Sequence, residues 1–123
     1  MIERLQGFPD DVAAFACHGH VTKADYETVL IPDVDDRFTR HDKLRVYYEV
    51  PADFDGVDAG AVWDDTKVGL SHLRRWERLA VVTDVDWIRR ATDVFGFLMP
   101  AQLRVFPTAE AEQAREWIAQ PRQ

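Results

Sequence analysis

The chain has 123 residues, of which 46% are hydrophobic and 30% are charged, and it carries a formal net charge of −7. A chain of this size and composition can bury a core without disulfides or a structural metal, so we expect one α/β domain over residues 1–123. The acidic balance repels phosphate backbones, which argues against nucleic acid as a partner.

The amino-terminal segment predicts a strand hairpin rather than a leader. Charged Glu3 and Arg4 stand where a secretory signal would be apolar, and no apolar run approaches the roughly 18 residues of a membrane span, so we expect a cytoplasmic protein. Residues 1–6 and 12–20 are typical of two strands, joined by the turn-forming stretch GFPDD. Cys17 is the only cysteine and lies in the second, apolar strand, which favours a buried thiol.

A helix follows, and its first residues carry a capping signal. Thr22 is suited to the N-cap, with Asp25 three residues later as a shortened capping box. Pro32 predicts that this helix is kinked or divided. The next segment, KLRVYYEV, alternates apolar and mixed positions with the period of a strand, and it ends at Pro51.

The second half of the chain alternates helices with strands. Apolar residues at helical spacing predict a helix over roughly 59–76, and the compact run RLAVVTD predicts a buried strand after it. We expect Asp84 or Asp86 to cap the third predicted helix, and Thr108 to cap the last one, which follows the strand QLRVF. The order β-β-α-β-α-β-α-β-α predicts a mixed five-stranded sheet, with an N-terminal antiparallel hairpin and then parallel β-α units.

Several short motifs accompany this order of elements. They comprise a Gly-x-x-Thr-x-x-Asp-Tyr turn into the first helix, a Trp-Asp pair, a glycine in the second helix and the strand end VVTDVDW, and their residues include Gly19, Thr22, Asp25, Tyr26, Trp63, Asp64 and Gly69. With these motifs the chain resembles the SpoIIAA-like family, also described as the STAS/SEC14 domain family, over nearly its whole length. The resemblance implies the fold of anti-sigma-factor antagonists and of CRAL-TRIO lipid carriers, and it leaves their two kinds of function open.

The resemblance to the antagonists implies a partner-binding loop at the start of the second helix. In such proteins a phosphorylatable serine stands there, because the partner reads the charge at the helix N-terminus. Here Asp58 and Ala59 hold that place, and Ser71, the only serine, lies inside the predicted helix. We therefore expect no kinase-controlled switch, and we interpret the Asp58 loop as a partner site with a permanent charge.

The end of the third predicted helix, DVFGFLMPAQ, is rich in apolar residues. Phe95 and Leu98 continue its inner stripe, whereas Phe97 and Met99 fall off that stripe beside a glycine and a proline. A mobile apolar edge rimmed by arginines suits an apolar small molecule or an anionic membrane surface. It also suits packing against the last strand, or a homodimer contact. The predicted ligand-binding set is Trp63, Trp87, Phe95, Phe97, Leu98 and Met99, with Arg89 and Arg90 facing an anionic surface.

Signals for catalysis and metal binding are few. His18 and His20 share one face at a strand end, a spacing compatible with two ligands of one metal, but no third ligand stands at a recognisable spacing. Asp64 and Asp65 diverge by about 100° on a helix, so they do not converge as an acid and base pair. We therefore expect no cofactor, no metal and no enzymatic activity. A hydrolase or metal enzyme using His20, His72 and Asp64 is the remaining hypothesis of that class.

The leading prediction is a non-enzymatic cytoplasmic binding module that holds a small apolar ligand or associates peripherally with membrane through the third-helix region. The alternative is a regulatory protein-protein interaction module related to anti-sigma-factor antagonists but lacking the phosphorylatable serine. The two hypotheses use different surfaces, namely the end of the third helix and the Asp58 loop.

Overall fold

A mixed sheet forms the centre of the computed structural model, which describes residues 1–61, 63, 67, 71, 74–98 and 101–120, with the backbone alone for 94–98. The strands of these residues are β1 (Ile2–Arg4), β2 (Val12–Cys17), β3 (His20–Val21), β4 (Leu44–Val50), β5 (Gly56–Val57), β6 (Trp76–Thr83) and β7 (Gln102–Phe106). Strands β1, β2, β4, β6 and β7 lie side by side in that order. The β1–β2 pair is antiparallel and the other neighbours are parallel, so the predicted mixed five-stranded sheet is confirmed.

The first helical segment begins with the predicted cap. The Asp25 backbone N–H donates to the Thr22 hydroxyl at 3.1 Å, and the Thr22 N–H donates to the Asp25 carboxylate at 2.8 Å, which completes the capping box. Helix α1 (Lys23–Asp25) continues through a π-helical turn (Tyr26–Leu30) into α2 (Ile31–Phe38). Because Pro32 lacks an N–H, the turn before it is the place where the α-helical hydrogen-bond pattern changes, and the helix is divided as predicted.

Helices cover both faces of the sheet. On one face, Tyr26, Leu30 and Val34 of the first helical segment share a buried cluster with the sheet, and α3 (Asp86–Leu98) packs there through Ile88. On the other face, α4 (Ala111–Ala119) buries Ala114 and Ile118 against β2, β4 and β6. The sheet is therefore the middle layer of three, which agrees with the predicted α/β class.

Strand β6 begins earlier than the sequence pattern indicates. Trp76, the last residue of the helix predicted over 59–76, is in the structure the first residue of β6 and pairs in register with Leu44. Its buried ring lies 5.3 Å from the ring of Phe38, centroid to centroid. Trp76 falls at helical spacing by coincidence. Its position is determined by the pairing of β6 with β4, which buries its side chain. Helical residues are present at 59–61, 63, 67 and 71, and Val62, Leu70 and Leu73 lie outside the described residues.

One predicted helix cap is wrong, and one residue of another predicted cap bonds elsewhere. Asp84, one of the two residues predicted to cap α3, stands two positions before that helix, and its carboxylate accepts a hydrogen bond from the Thr108 N–H at 3.0 Å, while Asp86 is the first residue of the helix. Thr108 begins a short 3-10 turn, Thr108–Glu110, and does not cap α4, and the N-cap residues of the turn and of α4, Pro107 and Glu110, make no side-chain capping bond. Because β6 and β7 are adjacent parallel strands, Asp84 after β6 lies beside the turn that follows β7. The Thr108 N–H at the start of this turn therefore bonds to a residue from a different part of the chain.

Candidate interaction site

The carboxyl ends of the parallel strands bring several polar loops to one edge of the sheet. At this edge β3 and β5 form a separate two-stranded parallel sheet, in which His20 pairs with Gly56 and Val21 with Val57. The pairing continues on both sides, because the Asp55 N–H donates to the Gly19 carbonyl and the Asp58 N–H donates to the Val21 carbonyl, both at 2.9 Å. Residues far apart in the chain thereby become neighbours.

The closest polar contact of this small sheet joins His20 to Asp58. The imidazole Nε2 lies 2.6 Å from the Asp58 carboxylate, and Nδ1 lies 3.6 Å from the Asp55 carboxylate. The Asp58 hydrogen bond raises the pKa of His20 above its ordinary value of 6.5, and the same bond lowers the pKa of Asp58 below 3.8. Both side chains are about half exposed, at 50% and 46%, so the pair is accessible to a partner.

Gly56 allows His20 to lie where it does. Its φ of +153° belongs to a region that residues with a side chain rarely adopt, and a Cβ at this position would lie 3.3 Å from the His20 Nδ1. A larger residue would therefore strain the backbone and press on the imidazole. The glycine therefore leaves room for the His20 imidazole beside β5.

Asp58 lies beside the first residues of two helical segments, namely residues 59–61 and α1. It immediately precedes the helical residues 59–61, and its carboxylate also accepts a hydrogen bond from the backbone of Lys23, the first residue of α1. Gly60 permits this proximity, because a Cβ there would lie 2.9 Å from the Lys23 Cδ. A carboxylate beside helix N-termini is favoured by their partial positive charge. The structure thus places a negative charge immediately before the helical residues 59–61.

His18 has a different environment from His20. Its Nδ1 lies 3.3 Å from the Asp53 carboxylate and its Nε2 lies 3.4 Å from that of Glu3. The two histidines therefore contact different carboxylates. Among the residues described, no three His, Cys, Asp or Glu side chains form a group that could hold a metal ion. The hypothesis of a site built from His20, His72 and Asp64 concerns two residues outside that part of the chain.

Aromatic side chains are exposed near this edge. Trp87, in the first turn of α3, is 55% exposed, and its ring centroid lies 6.2 Å from that of the half-buried Phe54. Trp63 is 62% exposed on the helical residues that follow Asp58. Phe54 was not predicted as a site residue. A phenylalanine between Asp53 and Asp55 in an acidic loop nevertheless indicates that its ring packs against another apolar side chain.

Part of the predicted apolar site lies outside the residues and side chains that the structure describes. Phe95, Phe97 and Leu98 belong to α3, but their side chains are not among those described, and Met99 lies outside the described residues altogether. Of the two predicted cationic residues, Arg89 donates to the Thr83 carbonyl at 3.1 Å and Arg90 is exposed. In the described ranges, no helix combines the length and apolar character needed to cross a membrane. The apolar-ligand prediction for this region therefore stays a prediction.

Comparison with known proteins adds the family. A family model described as SpoIIAA-like matches residues 12–119. The chain belongs to the SpoIIAA-like family. Among solved structures it is similar to an uncharacterised protein of the DUF3478 family from Shewanella loihica PV-4, described as having a SpoIIAA-like fold, with a TM-score of 0.71 and 24% identity. The match covers 95% of this chain and 93% of that one. A comparison with curated proteins finds no match. The predicted family and fold are both confirmed.

Proposed function

We propose that the chain is a non-enzymatic, cytoplasmic regulatory module that binds a partner protein through the Asp58 loop, residues 51–58. The observation that carries this proposal is the exposed Asp58 carboxylate, which is held 2.6 Å from His20 at the start of helical structure. A fixed negative charge at a helix start is the chemical feature that a phosphorylated serine would otherwise provide. The loop therefore offers a partner a charged surface without prior modification.

The absence of a serine at this position determines how such an interaction would be regulated. Asp58 and Ala59 occupy the start of the helix, and neither side chain has a hydroxyl that a kinase could phosphorylate. The charge of Asp58 is instead present whenever its carboxyl is ionised, and the hydrogen bond from His20 lowers its pKa and favours that state. Binding at this loop is thus expected to be constitutive near neutral pH.

Capture of partner proteins by the purified chain tests this proposal. We expect Asp58→Asn to remove specific partners from a cross-linking pull-down, because the amide keeps the size of the side chain and loses its charge. The matched control is Glu112→Gln, which removes the same charge from an exposed position on α4. Equal capture by the parent protein and Asp58→Asn would exclude the Asp58 loop as the partner site.

A second candidate function uses the end of α3. Trp87, which is exposed at the opposite, N-terminal end of the same helix, favours a binding role for α3 as a whole, since an uncovered indole is suited to an apolar ligand or to the membrane interface. In this proposal Trp63, Trp87, Phe95, Phe97, Leu98 and Met99 bind a small apolar molecule or the membrane, with Arg89 and Arg90 facing anionic headgroups. A dimer contact through the same surface is the alternative use of these residues.

Flotation with anionic vesicles tests the second candidate. We expect the parent protein to float with phosphatidylserine-containing vesicles and the double variant Phe97→Asp/Met99→Asp to stay in the dense fraction, because two carboxylates oppose insertion into an anionic surface. Native mass spectrometry of freshly purified protein shows in the same preparation whether a small molecule or a second copy is bound. Identical flotation of both proteins, with no bound small molecule, would rule this candidate out.

A further inference from the structure

The Asp58 loop is continuous with an aromatic contact that is surrounded by acidic residues. We define the acidic aromatic surface as the ring pair Phe54 and Trp87 together with the aspartates of segments 51–58 and 84–88. Those segments contain five aspartates, Asp53, Asp55, Asp58, Asp84 and Asp86, and no lysine or arginine, while Arg89, directly after them, donates to the Thr83 carbonyl. Because β4 and β6 are parallel neighbours, the two segments leave the sheet at the same edge.

The aromatic pair has the properties of an interface centre. Trp87 leaves 55% of its surface exposed while one side of its ring is supported by Phe54. Tryptophan is among the residues that most often dominate binding energy, since its large rigid ring buries much area at a small entropic cost. A partner side chain that covers this indole would bury the part of its surface that Phe54 leaves exposed.

The charged rim limits what that partner can be. Asp53 and Asp55 are 60% and 71% exposed, so their carboxylates are accessible. Hydrogen bonds from Thr108 and His20 hold the pKa values of Asp84 and Asp58 below their ordinary range, so both remain ionised. Such a rim attracts cations and opposes an anionic membrane, so docking at this surface and the membrane use of Trp87 under the second candidate are mutually exclusive.

We propose, on the basis of the protein-interaction function above, that the acidic aromatic surface docks an arginine-containing basic segment of a partner protein. A guanidinium can stack on an indole and pair with a neighbouring carboxylate at the same time, which a lysine ammonium does less well. The chain itself packs a guanidinium over an indole, because the Arg104 Cζ lies 5.3 Å from the centre of the Trp117 ring. Charge complementarity and the exposed indole thus indicate the same occupant.

Titration with short synthetic peptides, followed by two-dimensional NMR, tests this inference. The probes are a peptide of arginine and leucine, its counterpart with glutamate in place of arginine, and a counterpart with lysine. We expect the arginine peptide to shift the Trp87 indole N–H and the backbone signals of residues 53–58, with an affinity that falls as salt rises. The glutamate peptide should leave these signals unchanged, and the lysine peptide should bind more weakly.

Variants separate a specific site from general attraction to an acidic protein. Trp87→Ser should weaken binding about tenfold or more, and Phe54→Ala provides a second variant of the same contact. Asp55→Asn/Asp86→Asn should weaken it several-fold, whereas Glu112→Gln/Glu116→Gln, with the same change of net charge on α4, should leave it unchanged. Circular dichroism shows that each variant is folded. Shifts spread over all acidic surfaces, or equal loss in the α4 control, would overturn the inference.

The outcomes also distinguish this inference from the proposed function. If partner capture depends on Asp58 but the arginine peptide does not bind at Trp87, the module function stands and the basic-segment inference fails. If the peptide binds at Trp87 but Asp58→Asn captures the same proteins as the parent, the surface stands and the Asp58 loop is not the partner site.

Discussion

At the scale of single residues, the contact between His20 and Asp58 connects the sequence motif to the proposed site. Asp58 was singled out from its position before the second helix, whereas its hydrogen bond to His20 was not predicted. The two residues are 38 positions apart, and their contact depends on the pairing of two strands of two residues each. No local pattern encodes such a short pairing, so the partner of Asp58 could not be read from the sequence.

The pH dependence of this pair follows from the directions of its two pKa shifts. The raised pKa of His20 contributes stability that is fully present below its ordinary value of 6.5 and is lost as the pH rises through the folded value. The lowered pKa of Asp58 contributes stability that is present above 3.8 and is lost as the pH falls through its folded value. The stabilising effect is therefore greatest between these two ordinary values, in mildly acidic solution.

We expect Asp58→Asn to lower the pKa of His20 towards 6.5, because the main cause of its upward shift is removed while Asp55 remains. An NMR titration of the His20 ring signals measures this directly. Glu112→Gln should leave the His20 titration unchanged. An unaltered His20 pKa in Asp58→Asn would show that the hydrogen bond is not formed in solution.

At the scale of elements, Arg45 joins strand β4 to the end of α4. The alternation of KLRVYYEV correctly predicted the strand and its apolar face, and it assigned Arg45 to a mixed face. In the structure that face is covered by α4, so Arg45 is 4% exposed. Its guanidinium donates to the Glu77 carboxylate at 2.6 Å, to the Ile118 carbonyl at 2.8 Å and to the Gln120 carbonyl. A cation at the carboxyl end of a helix satisfies carbonyls that lack partners within the helix.

We expect Arg45→Met to lower the free energy of unfolding by about 3 to 5 kcal/mol, because it removes the buried ion pair with Glu77 and the hydrogen bonds to two carbonyls at the end of α4. Urea denaturation measures the loss. Arg90→Met, at an exposed position on α3, should change stability by no more than about 0.5 kcal/mol and serves as the control. A similar effect of both substitutions would mean that Arg45 does not hold the end of α4.

At the scale of the whole molecule, one sheet separates two buried clusters. Leu30 lies in the cluster under α2 and Ile118 lies in the cluster under α4, with exposures of 1% and 0%. Neighbouring residues of the same central strands face opposite clusters, as Val46 and Tyr47 do in β4. Loss of packing on either side therefore affects strands that both sides share, and the two clusters should unfold together.

We expect Leu30→Ala and Ile118→Ala each to lower the free energy of unfolding by about 2 to 5 kcal/mol, and Ile118→Val by about 0.5 to 1.5 kcal/mol. With fluorinated tryptophan, Trp76 and Trp117 report on the two faces separately in NMR-monitored urea unfolding. Their transitions should coincide in the parent and in every variant. Separate transitions would contradict the prediction of a single domain.

The sequence by itself determined the features that depend on neighbouring residues. The alternation in β4, the Thr22 capping box and the division of the first helix at Pro32 were all predicted, and the order of elements was sufficient for the mixed sheet. These features follow from side-chain periodicity and from hydrogen bonds that span a few residues, so a local pattern is enough.

Only the tertiary structure decided which distant residues meet. The contacts of His20 with Asp58, of Thr108 with Asp84 and of Phe54 with Trp87 each join residues that follow different strands of the five-stranded sheet. Such contacts depend on strand register and on the distance between adjacent parallel strands, which no short window of sequence contains. The family and the fold are therefore readable from the chain, whereas which residues meet at the candidate site results from how the strands pair.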